Sequence, residues 1–251
     1  MATLNLESSS SSSTPVAAPL GIARFQHTPY YCEENIYLLC KKLSEDGTAK
    51  PDGSDLFVVF ISNEKNQAKG HTLFEIFALL NGRVLYQIPL WHQRASHRAD
   101  GVILWDYHVI CVQRRKETSL PDLVWDLDSN LPIPSPLPTY VAETIRPSFQ
   151  LFSEFQRVFR IVHAPIFLKS FASDRRHMKD PSGNWTATPP SYDVITAEDG
   201  TAHNLNEYMA MSSLDVVKSI GADAVDTALT QKLGVLVGES KLEEFFSQIP
   251  L

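Results

Sequence analysis

The chain of 251 residues is poor in cysteine, with three residues of this type and no paired spacing that would build a disulfide framework. It also lacks a signal peptide with a charged start and an apolar core. No apolar run approaches the about 20 residues that a membrane helix needs. These absences predict a soluble protein of a reducing compartment, the cytoplasm or the nucleus, with no membrane among its partners.

Basic residues are likewise in deficit. Lys and Arg number 22 against 29 for Asp and Glu, which gives a formal net charge of -7. Proteins that bind nucleic acid usually present a net basic face, so this balance predicts no nucleic acid among the partners. The short basic runs Arg114–Lys116 and Arg175–Arg176 are interpreted as solvated loop charges.

The first 24 residues have a composition that cannot form a core. They are rich in Ser, Pro and Ala and include an unbroken serine run, Ser8–Ser13. We therefore expect residues 1–24 to be a disordered tail. A plastid transit peptide is only a minor alternative. Such peptides are rich in basic and poor in acidic residues, whereas here Arg24 is the only base and Glu7 is present.

Apolar residues recur with helical spacing after this tail. Thr28 and Pro29 fit the N-cap and the first position of a helix. The positions i, i+3, i+4 and i+7 of the stripe, which predict an amphipathic helix, are Ile36, Leu39, Cys40 and Leu43.

Cys32 falls near the start of this predicted helix, beside Glu33 and Glu34. Free backbone N–H groups and the positive end of the helix dipole favour a thiolate there, and the thiolate is the nucleophilic form. The alternative is a small buried apolar residue, because free cysteine is among the most buried residue types. On this stretch alone, burial is the better supported interpretation of a lone cysteine.

The rest of the chain alternates extended and helical patterns. The continuous β-rich run Leu56–Ile61 predicts a strand covered on both faces, and hence helices on either side of a sheet. The Pro-rich stretch Leu131–Pro138 is expected to be a surface loop. Further extended runs are Val102–Val112, Leu123–Leu127 and Phe159–Val162. Helices are expected over Phe149–Val158, Leu205–Met211 and Lys241–Ile249, and an ordered loop over Ser170–Pro190.

His108 and Asp126 lie in two of the extended runs. An antiparallel hairpin centred on Glu117 would place them directly opposite, with Cβ atoms about 4.5 to 5.5 Å apart. A carboxylate there would hold one ring nitrogen and leave the other for Cys32, which is the arrangement of a Cys/His/Asp nucleophilic site. A partly buried histidine in a structural ion pair is an equal alternative on these residues.

A metal centre is the competing chemistry. None of the candidate histidines shows the paired spacing of a zinc motif, and Cys40 lies on the apolar stripe of its helix. We therefore expect no metal site. The candidate ligands considered are His92, His97, His108, His163 and His177.

Six sequence blocks, taken together and in order, resemble the protein N-terminal glutamine amidohydrolase family. They extend over nearly the whole chain beyond the tail. In this resemblance the family's catalytic cysteine, histidine and aspartate fall on Cys32, His108 and Asp126. The blocks are YCEEN at 31–35, VFISNE at 59–64, IPLW at 88–91, WDYHV at 105–109, DLD at 126–128 with the following Leu131-Pro132, and FASDRRHMK at 171–179 with GNW at 183–185.

The resemblance implies an α/β (α+β) fold. It is a three-layer sandwich with a mostly antiparallel sheet and a transglutaminase- or papain-like catalytic core, in one catalytic domain over residues 25–251. It also implies a cofactor-free hydrolase. Its partners would be proteins or peptides with a free N-terminal glutamine, which it converts to glutamate with release of ammonia, feeding an N-terminal degradation-signal pathway. A monomer is expected, because the terminus of a folded substrate has to reach the site.

Restriction to a chain terminus requires a group that binds the free α-ammonium. The sequence leaves four carboxylates open for this role: Glu33, Glu34, Asp106 and Asp174. Aromatic residues could shape the pocket, although core packing is their more common role, and the candidates are Tyr31, Trp91, Trp105 and Tyr107.

Residues 66–87 depart from the family pattern, which passes almost directly from the segment ending at Lys65 to the IPLW block. This insert contains the apolar run Leu73–Leu80, where a tolerated surface insertion would be polar. We interpret the insert as a retained intron or a splice variant. Sequencing the transcript across these codons tests this, and an exclusively insert-containing message in abundant, active protein would contradict it.

Two other function classes stay open on the sequence. A papain-like protease or a transglutaminase would use the same three side chains. A non-catalytic module that captures N-terminal Gln or Glu would use the same pocket without releasing ammonia.

Overall fold

A six-stranded antiparallel sheet carries the fold. The computed structural model describes residues 24–64, 87–115 and 119–250. The strands in these ranges are β1 (Leu56–Ser62), β2 (Ile88–Leu90), β3 (Ile103–Trp105), β4 (His108–Gln113), β5 (Leu123–Trp125), β6 (Ser135–Pro136), β7 (Val158–His163) and β8 (Val235–Gly238). The sheet has the order β6-β5-β4-β1-β7-β8, while β2 and β3 form a separate antiparallel pair.

Helices lie on both faces of this sheet. They are α1 (Cys32–Glu45), α2 (Leu137–Tyr140) with a π-helical turn at Val141–Ile145, α3 (Ala164–Ser170), α4 (Leu205–Met209), α5 (Ala222–Thr230) and α6 (Leu242–Gln248). Short 3₁₀ turns occur at Ser153–Phe155, Arg176–Met178, Ser213–Asp215 and Glu239–Lys241.

The central strand β1 separates two apolar cores. Val58 and Phe60 face a core shared with α1, α3 and α4. Phe57 and Val59 face a second core shared with α2, α5 and α6. All seven residues of β1 are buried, so the expectation of a strand covered on both faces is confirmed. The mixed α and β composition with a mostly antiparallel sheet agrees with the predicted α+β class.

Three local predictions were wrong. The run Phe149–Val158 is not a helix, because it contains only a 3₁₀ turn before β7 begins. The extended run Val102–Val112 is two strands in different sheets, β3 and β4. The Pro-rich stretch is only partly loop, since it includes β6, where proline is tolerated because this strand lies at the sheet edge.

The sequence patterns also missed α5 and β8. Gly234 makes the turn between them at φ +54. A Cβ atom added there would lie 1.9 Å from the carbonyl oxygen of Ile161 on β7, so a larger residue would push β8 away from its neighbour.

Some predictions fall outside the described ranges. They are the tail up to residue 23, the insert between residues 65 and 86, and the hairpin centre at Glu117. Within the described ranges, no helix has the length and apolar character needed to span a bilayer.

Candidate active site

Cys32 is the first residue of α1. The first helical hydrogen bond joins the Asn35 N–H to the Tyr31 carbonyl at 2.9 Å, and no side chain caps this end. The backbone N–H groups of Cys32 and Glu33 therefore precede the helical ladder and point out of the helix start. The predicted position of Cys32 within the first turn is confirmed.

The predicted cap was wrong. Thr28 and Pro29 lie before the helix, and the Asn35 side chain binds Thr28 instead, accepting from its N–H and donating to its carbonyl, both at 2.8 Å. The segment between them turns through Tyr30, which adopts φ 72. This clasp sets where the chain enters α1 and so where Cys32 stands.

The segment before α1 is anchored at three further points. Arg24 forms an ion pair with Asp46 at 2.6 Å. Phe25 packs edge-on against Trp125, with ring centroids 5.7 Å apart. His27 lies within 2.8 Å of the Asp128 carboxylate through its Nε2 atom.

His108 and Asp126 meet, as the sequence predicted. The Nε2 atom of His108 lies 2.9 Å from Oδ1 of Asp126, and both side chains are buried. The register that brings them together differs from the prediction, because β4 and β5 pair Cys111 with Trp125. That pairing would place His108 opposite residue 128, so the contact with Asp126 is diagonal, just beyond the end of β5.

Further donors hold the Asp126 carboxylate. The Tyr140 hydroxyl donates to Oδ2 at 2.8 Å, and the Asp128 N–H donates to Oδ1 at 3.0 Å. Burial raises the pKa of Asp126, but His108 and these donors lower it by more, so the net pKa lies below the ordinary value. Asp126 is therefore held as a carboxylate next to the imidazole.

The second ring nitrogen of His108, Nδ1, is buried without a hydrogen-bond partner among the described residues. The ring stacks on Trp105, with centroids 5.1 Å apart. Burial lowers the pKa of His108, but the charge of Asp126 and its hydrogen bond raise it more, so the net pKa lies above the ordinary value. The ring is thus oriented and able to accept a proton at Nδ1.

The Cys32 sulfur lies against the chain at the start of β4, where the Val109 N–H hydrogen-bonds to it. Burial raises the pKa of the Cys32 thiol well above its ordinary value, the charge of Glu33 raises it further, and the Val109 bond opposes this only in part. The expectation that the helix start would favour a thiolate was therefore wrong for the empty site. Burial and neighbouring carboxylates outweigh the dipole.

A cleft of about 510 Å³ opens above Cys32. Its walls include two of the aromatic residues considered for the pocket, Trp105 and Tyr107, while Tyr31 and Trp91 are buried outside its lining. Apolar side chains form much of the remaining wall: Tyr30, Ala95, Ile103, Leu104, Met178 and Met209.

Glu33 and Glu34 are both fully buried but have different partners. Glu34 forms an ion pair with Arg175, whose guanidinium donates from Nε and Nη2 at 3.0 to 3.2 Å. Glu33 accepts from the Tyr107 hydroxyl at 2.8 Å through Oε2, and its Oε1 lies 3.4 Å from Nε2 of His177. A guanidinium already matches Glu34, so a substrate cation would have to displace it.

The two remaining candidate carboxylates also separate. Asp106 lines the cleft. Asp174 lies outside the cleft lining and is paired with Arg176 and with His203, the latter at 3.2 Å. Asp174 is thus matched by charge in the same way as Glu34.

The structure adds Asp128 to the residues around the sulfur. It lines the cleft beside Cys32, and its charge raises the pKa of both Cys32 and His108. Its position two residues beyond Asp126 places both on one face of an extended strand, which was the sequence signal available for it. Tyr140 and His27 had no such signal, because they approach from distant segments.

The histidines considered as candidate metal ligands have separate partners. His92 lies 3.3 Å from Glu143, and His163 bonds to the Ser54 carbonyl at 3.1 Å. Within the described ranges, the group whose donor atoms all lie within 4.8 Å is His108, Asp126 and Asp128. Those carboxylates already accept the hydrogen bonds given above, and we assign no metal to them.

The other two cysteines face each other in the core. Cys40 and Cys111 are fully buried, with sulfur atoms 3.8 Å apart, and neither lines the cleft. The position of Cys40 on the apolar stripe of α1 is confirmed.

A buried cysteine at a helix start, beside an imidazole held by a carboxylate, is typical of enzymes that cleave or transfer acyl groups through a thiol. Comparison with known sequences identifies the family. The family model described as N-terminal glutamine amidase matches residues 27–71 and 65–246. The chain belongs to this family, whose members are hydrolases that act on an amide.

Relatives support this assignment across distant organisms. The chain is 59% identical to a protein from Arabidopsis thaliana over 95% of this chain and 98% of the relative. It is 50% identical to one from Oryza sativa subsp. indica, over 92% and 91% of the two chains. A Bos taurus relative is 36% identical over 72% and 75%. All three are named protein N-terminal glutamine amidohydrolase.

Proposed function

We propose that this protein deamidates the side chain of an N-terminal glutamine in proteins or peptides, giving N-terminal glutamate and ammonia. The observation that carries the proposal is the placement of Cys32 in the cleft, against the start of the strand that carries His108, whose ring is paired with Asp126. The relatives are named for this activity. The proposed nucleophile, proton carrier and orienting carboxylate are Cys32, His108 and Asp126.

In the first step, the Cys32 proton passes to Nδ1 of His108 and the sulfur attacks the side-chain carboxamide carbon. The backbone N–H groups of Cys32 and Glu33 at the helix start are the natural donors to the oxygen that becomes negative. His108 then gives its proton to the leaving nitrogen. Ammonia departs and a thioester to Cys32 remains.

In the second step, His108 takes a proton from a water molecule, which attacks the thioester carbon. The sulfur leaves and recovers the proton, and the product carries a carboxylate where the amide was. Asp126 keeps the ring oriented and stabilises its charged form during both steps. No redox change occurs, so the reaction needs water alone as co-substrate.

Two finer expectations belong to this proposal. The helix start carrying Cys32 against the strand that begins with His108 supports a transglutaminase- or papain-like core. The product, an N-terminal glutamate, would feed a degradation-signal pathway that reads chain termini. The predicted place in cytoplasm and nucleus and the monomeric state stay predictions.

Ammonia release from a peptide that begins with glutamine tests the proposal. Matched peptides with an acetylated terminus or an internal glutamine should release none. Cys32→Ala should abolish release. Cys40→Ala, a buried cysteine of the same helix outside the cleft, should retain it if the variant is folded by circular dichroism.

The alternatives give different results in the same assay. A protease would cleave the peptide, and a transglutaminase would act on the internal glutamine. A binding module would retain the peptide in the Cys32→Ala variant, while the parent protein would never release ammonia. Any of these outcomes would overturn the proposal.

The role of Asp126 can be measured separately. Asp126→Asn should lower kcat/KM on the order of 10²- to 10⁴-fold, because the imidazole loses its orienting charge. The pH at which His108 loses its proton should also fall, since Asp126 is the main cause of its raised pKa. A normal rate with an unchanged pH profile would exclude Asp126 as the orienting group.

A further inference from the structure

The Cys32 thiol is placed against a carboxylate on its own helix. Its Sγ atom donates to Oε2 of Glu33 at 3.7 Å, and the same oxygen accepts the Tyr107 hydroxyl. Glu33 is fully buried, so water cannot screen its charge. A thiolate in this position would face a negative group at contact distance.

A second carboxylate approaches from the segment after β5. Asp128 lines the cleft together with Cys32, and His27 contacts Oδ1 of Asp128 from behind. Unlike Glu33, Asp128 forms part of the cleft wall, so a bound molecule can reach it. Its charge acts on both Cys32 and His108.

Among the described residues, histidines are the basic side chains that contact the carboxylates around the sulfur. No Lys or Arg of the described ranges is paired with Glu33, Asp126 or Asp128. The groups that face the sulfur or its carboxylates are Glu33 from α1, Tyr107 just before β4, His108 at its start, Asp126 and Asp128 after β5, Tyr140 from α2, His177 from the 176–178 turn and His27 from the segment before α1.

The substrate itself carries the missing cation. Four bonds separate the α-ammonium nitrogen of a glutamine from its carboxamide carbon, a reach of about 5 Å at most. A substrate whose carboxamide contacts Sγ therefore places its ammonium inside the same cleft. Asp106 and Asp128 both line the cleft, and of these two carboxylates Asp128 is the one whose charge acts on Cys32.

We propose that the substrate's α-ammonium group, bound against Asp128, switches Cys32 from thiol to thiolate. This inference rests on the proposed function and extends it. In the empty cleft the carboxylates keep the proton on sulfur. When the ammonium binds, it neutralises Asp128 and so favours negative charge on sulfur. The pKa of His108 falls as well, but Asp126, the larger cause of its raised pKa, keeps its charge, so the ring stays a proton acceptor. The S–H bond breaks, the proton moves to Nδ1 of His108, and no electrons are exchanged.

This arrangement makes a free chain terminus a condition for the chemistry as well as for binding. An internal or acetylated glutamine could enter the cleft, but the thiol would stay protonated. The burial of Cys32 and the nearby carboxylates would then together keep the thiol protonated and unreactive towards other amides.

Alkylation of the thiol by iodoacetamide at neutral pH tests the switch. Glycinamide supplies an α-ammonium without a side chain, so the space for the carboxamide stays open to the reagent. N-acetylglycinamide is the matched neutral control. Because Cys40 and Cys111 are fully buried, labelling of the folded protein reports on Cys32, with Cys32→Ala as the background.

We expect glycinamide to accelerate labelling on the order of tenfold, which corresponds to a fall of about one unit in the thiol pKa. N-acetylglycinamide should have no effect. An unchanged or slower rate with saturating glycinamide would overturn the inference. If a glutamine peptide still released ammonia in that case, the proposed function would stand without the switch.

Three variants at two positions locate the effect. Asp128→Asn should lose the acceleration by glycinamide, and Asp128→Glu should restore part of it. Glu33→Gln should label faster than the parent protein without any ligand, yet keep the response to glycinamide. Full acceleration in a folded Asp128→Asn protein would refute Asp128 as the ammonium site, and thermal unfolding checks that each variant is folded.

Discussion

Two regions meet at the start of α1, and they match buried carboxylates in different ways. In the loop region of residues 173–193, the guanidinium of Arg175 holds Glu34. In the cleft, the neighbouring Glu33 is held by the hydroxyl of Tyr107 and lies near the imidazole of His177. Two adjacent, fully buried glutamates of one helix therefore have different electrostatic surroundings.

The two glutamates differ in whether a permanent positive charge balances their carboxylate. Arginine is protonated at every physiological pH, so the charge of Glu34 is always balanced. The Tyr107 hydroxyl carries no charge, so it does not balance the charge of Glu33 as Arg175 balances that of Glu34. The ion pair of the loop region stabilises the fold, and in the proposed function the cleft binds the substrate.

The largest loss of stability is expected when the buried ion pair between Arg175 and Glu34 is broken. Arg175→Met leaves Glu34 as a buried carboxylate without its cation. We expect the free energy of unfolding to fall by about 3–5 kcal/mol, measured by urea unfolding at neutral pH. Catalysis by the remaining folded protein should change little, because Arg175 does not line the cleft.

Arg176→Met is the matched control for that experiment. Arg176 is the next residue in the chain and pairs with Asp174, but its side chain is 64% exposed. The expected loss of unfolding free energy is much smaller than for Arg175→Met, because solvent screens this exposed pair. Equal losses in the two variants would break the distinction between the regions.

A smaller loss of stability is expected when the hydrogen bond from the Tyr107 hydroxyl to Glu33 is removed. Tyr107→Phe removes the hydroxyl donor to Glu33 and should cost about 1–3 kcal/mol of unfolding free energy. Tyr37→Phe is a suitable comparison, since that hydroxyl donates to the Leu168 carbonyl at 3.2 Å rather than to a charge. A Tyr107→Phe protein as stable as the parent would show that Glu33 does not depend on this donor.

The smallest expected effect is a difference in pKa between two histidines, each of which is paired with a carboxylate. Burial lowers the pKa of His108, but Asp126 raises it more, and the net shift is upward. Burial lowers the pKa of His203, and Asp174, which Arg176 already matches, does not reverse the fall. The histidine pKa therefore shifts in opposite directions in the two regions, although each histidine is paired with an aspartate.

Titration of the histidine ring signals by NMR should place the midpoint of His108 above 6.5 and that of His203 below it. The raised pKa means that His108 contributes stability below pH 6.5 that is lost as the pH rises through its folded pKa. His203 contributes stability above pH 6.5 that is lost as the pH falls through its folded pKa. Midpoints in the reverse order would contradict the comparison.

The sequence predicted the parts that repeat regularly. The apolar stripe of α1 and the continuous run of β1 determined both elements, because periodicity is a local property. The contact between His108 and Asp126 was predicted although the register differed by two residues. A diagonal neighbour on the same face is still within reach of these side chains.

Sequence reasoning could not separate Glu33 from Glu34. Both are acidic residues in the first turn of one helix, and their difference depends on Arg175, 141 residues after Glu34. Contacts of that separation have no local signal. The thiolate expected for Cys32 was wrong for a related reason. The helix start was visible in the sequence, but the contact that brings Asp128 close to the sulfur joins segments far apart in the chain.

The anchored segment before α1 limits how the protein can be shortened. Phe25 packs on Trp125, His27 contacts Asp128, and Thr28 is clasped by Asn35. A protein shortened to begin at Pro29 would lose all of these contacts. One of them is the contact of His27 with Asp128, which lines the cleft. A shortened or fused protein should therefore keep Arg24 and the residues that follow it, because they fix the entrance to the helix.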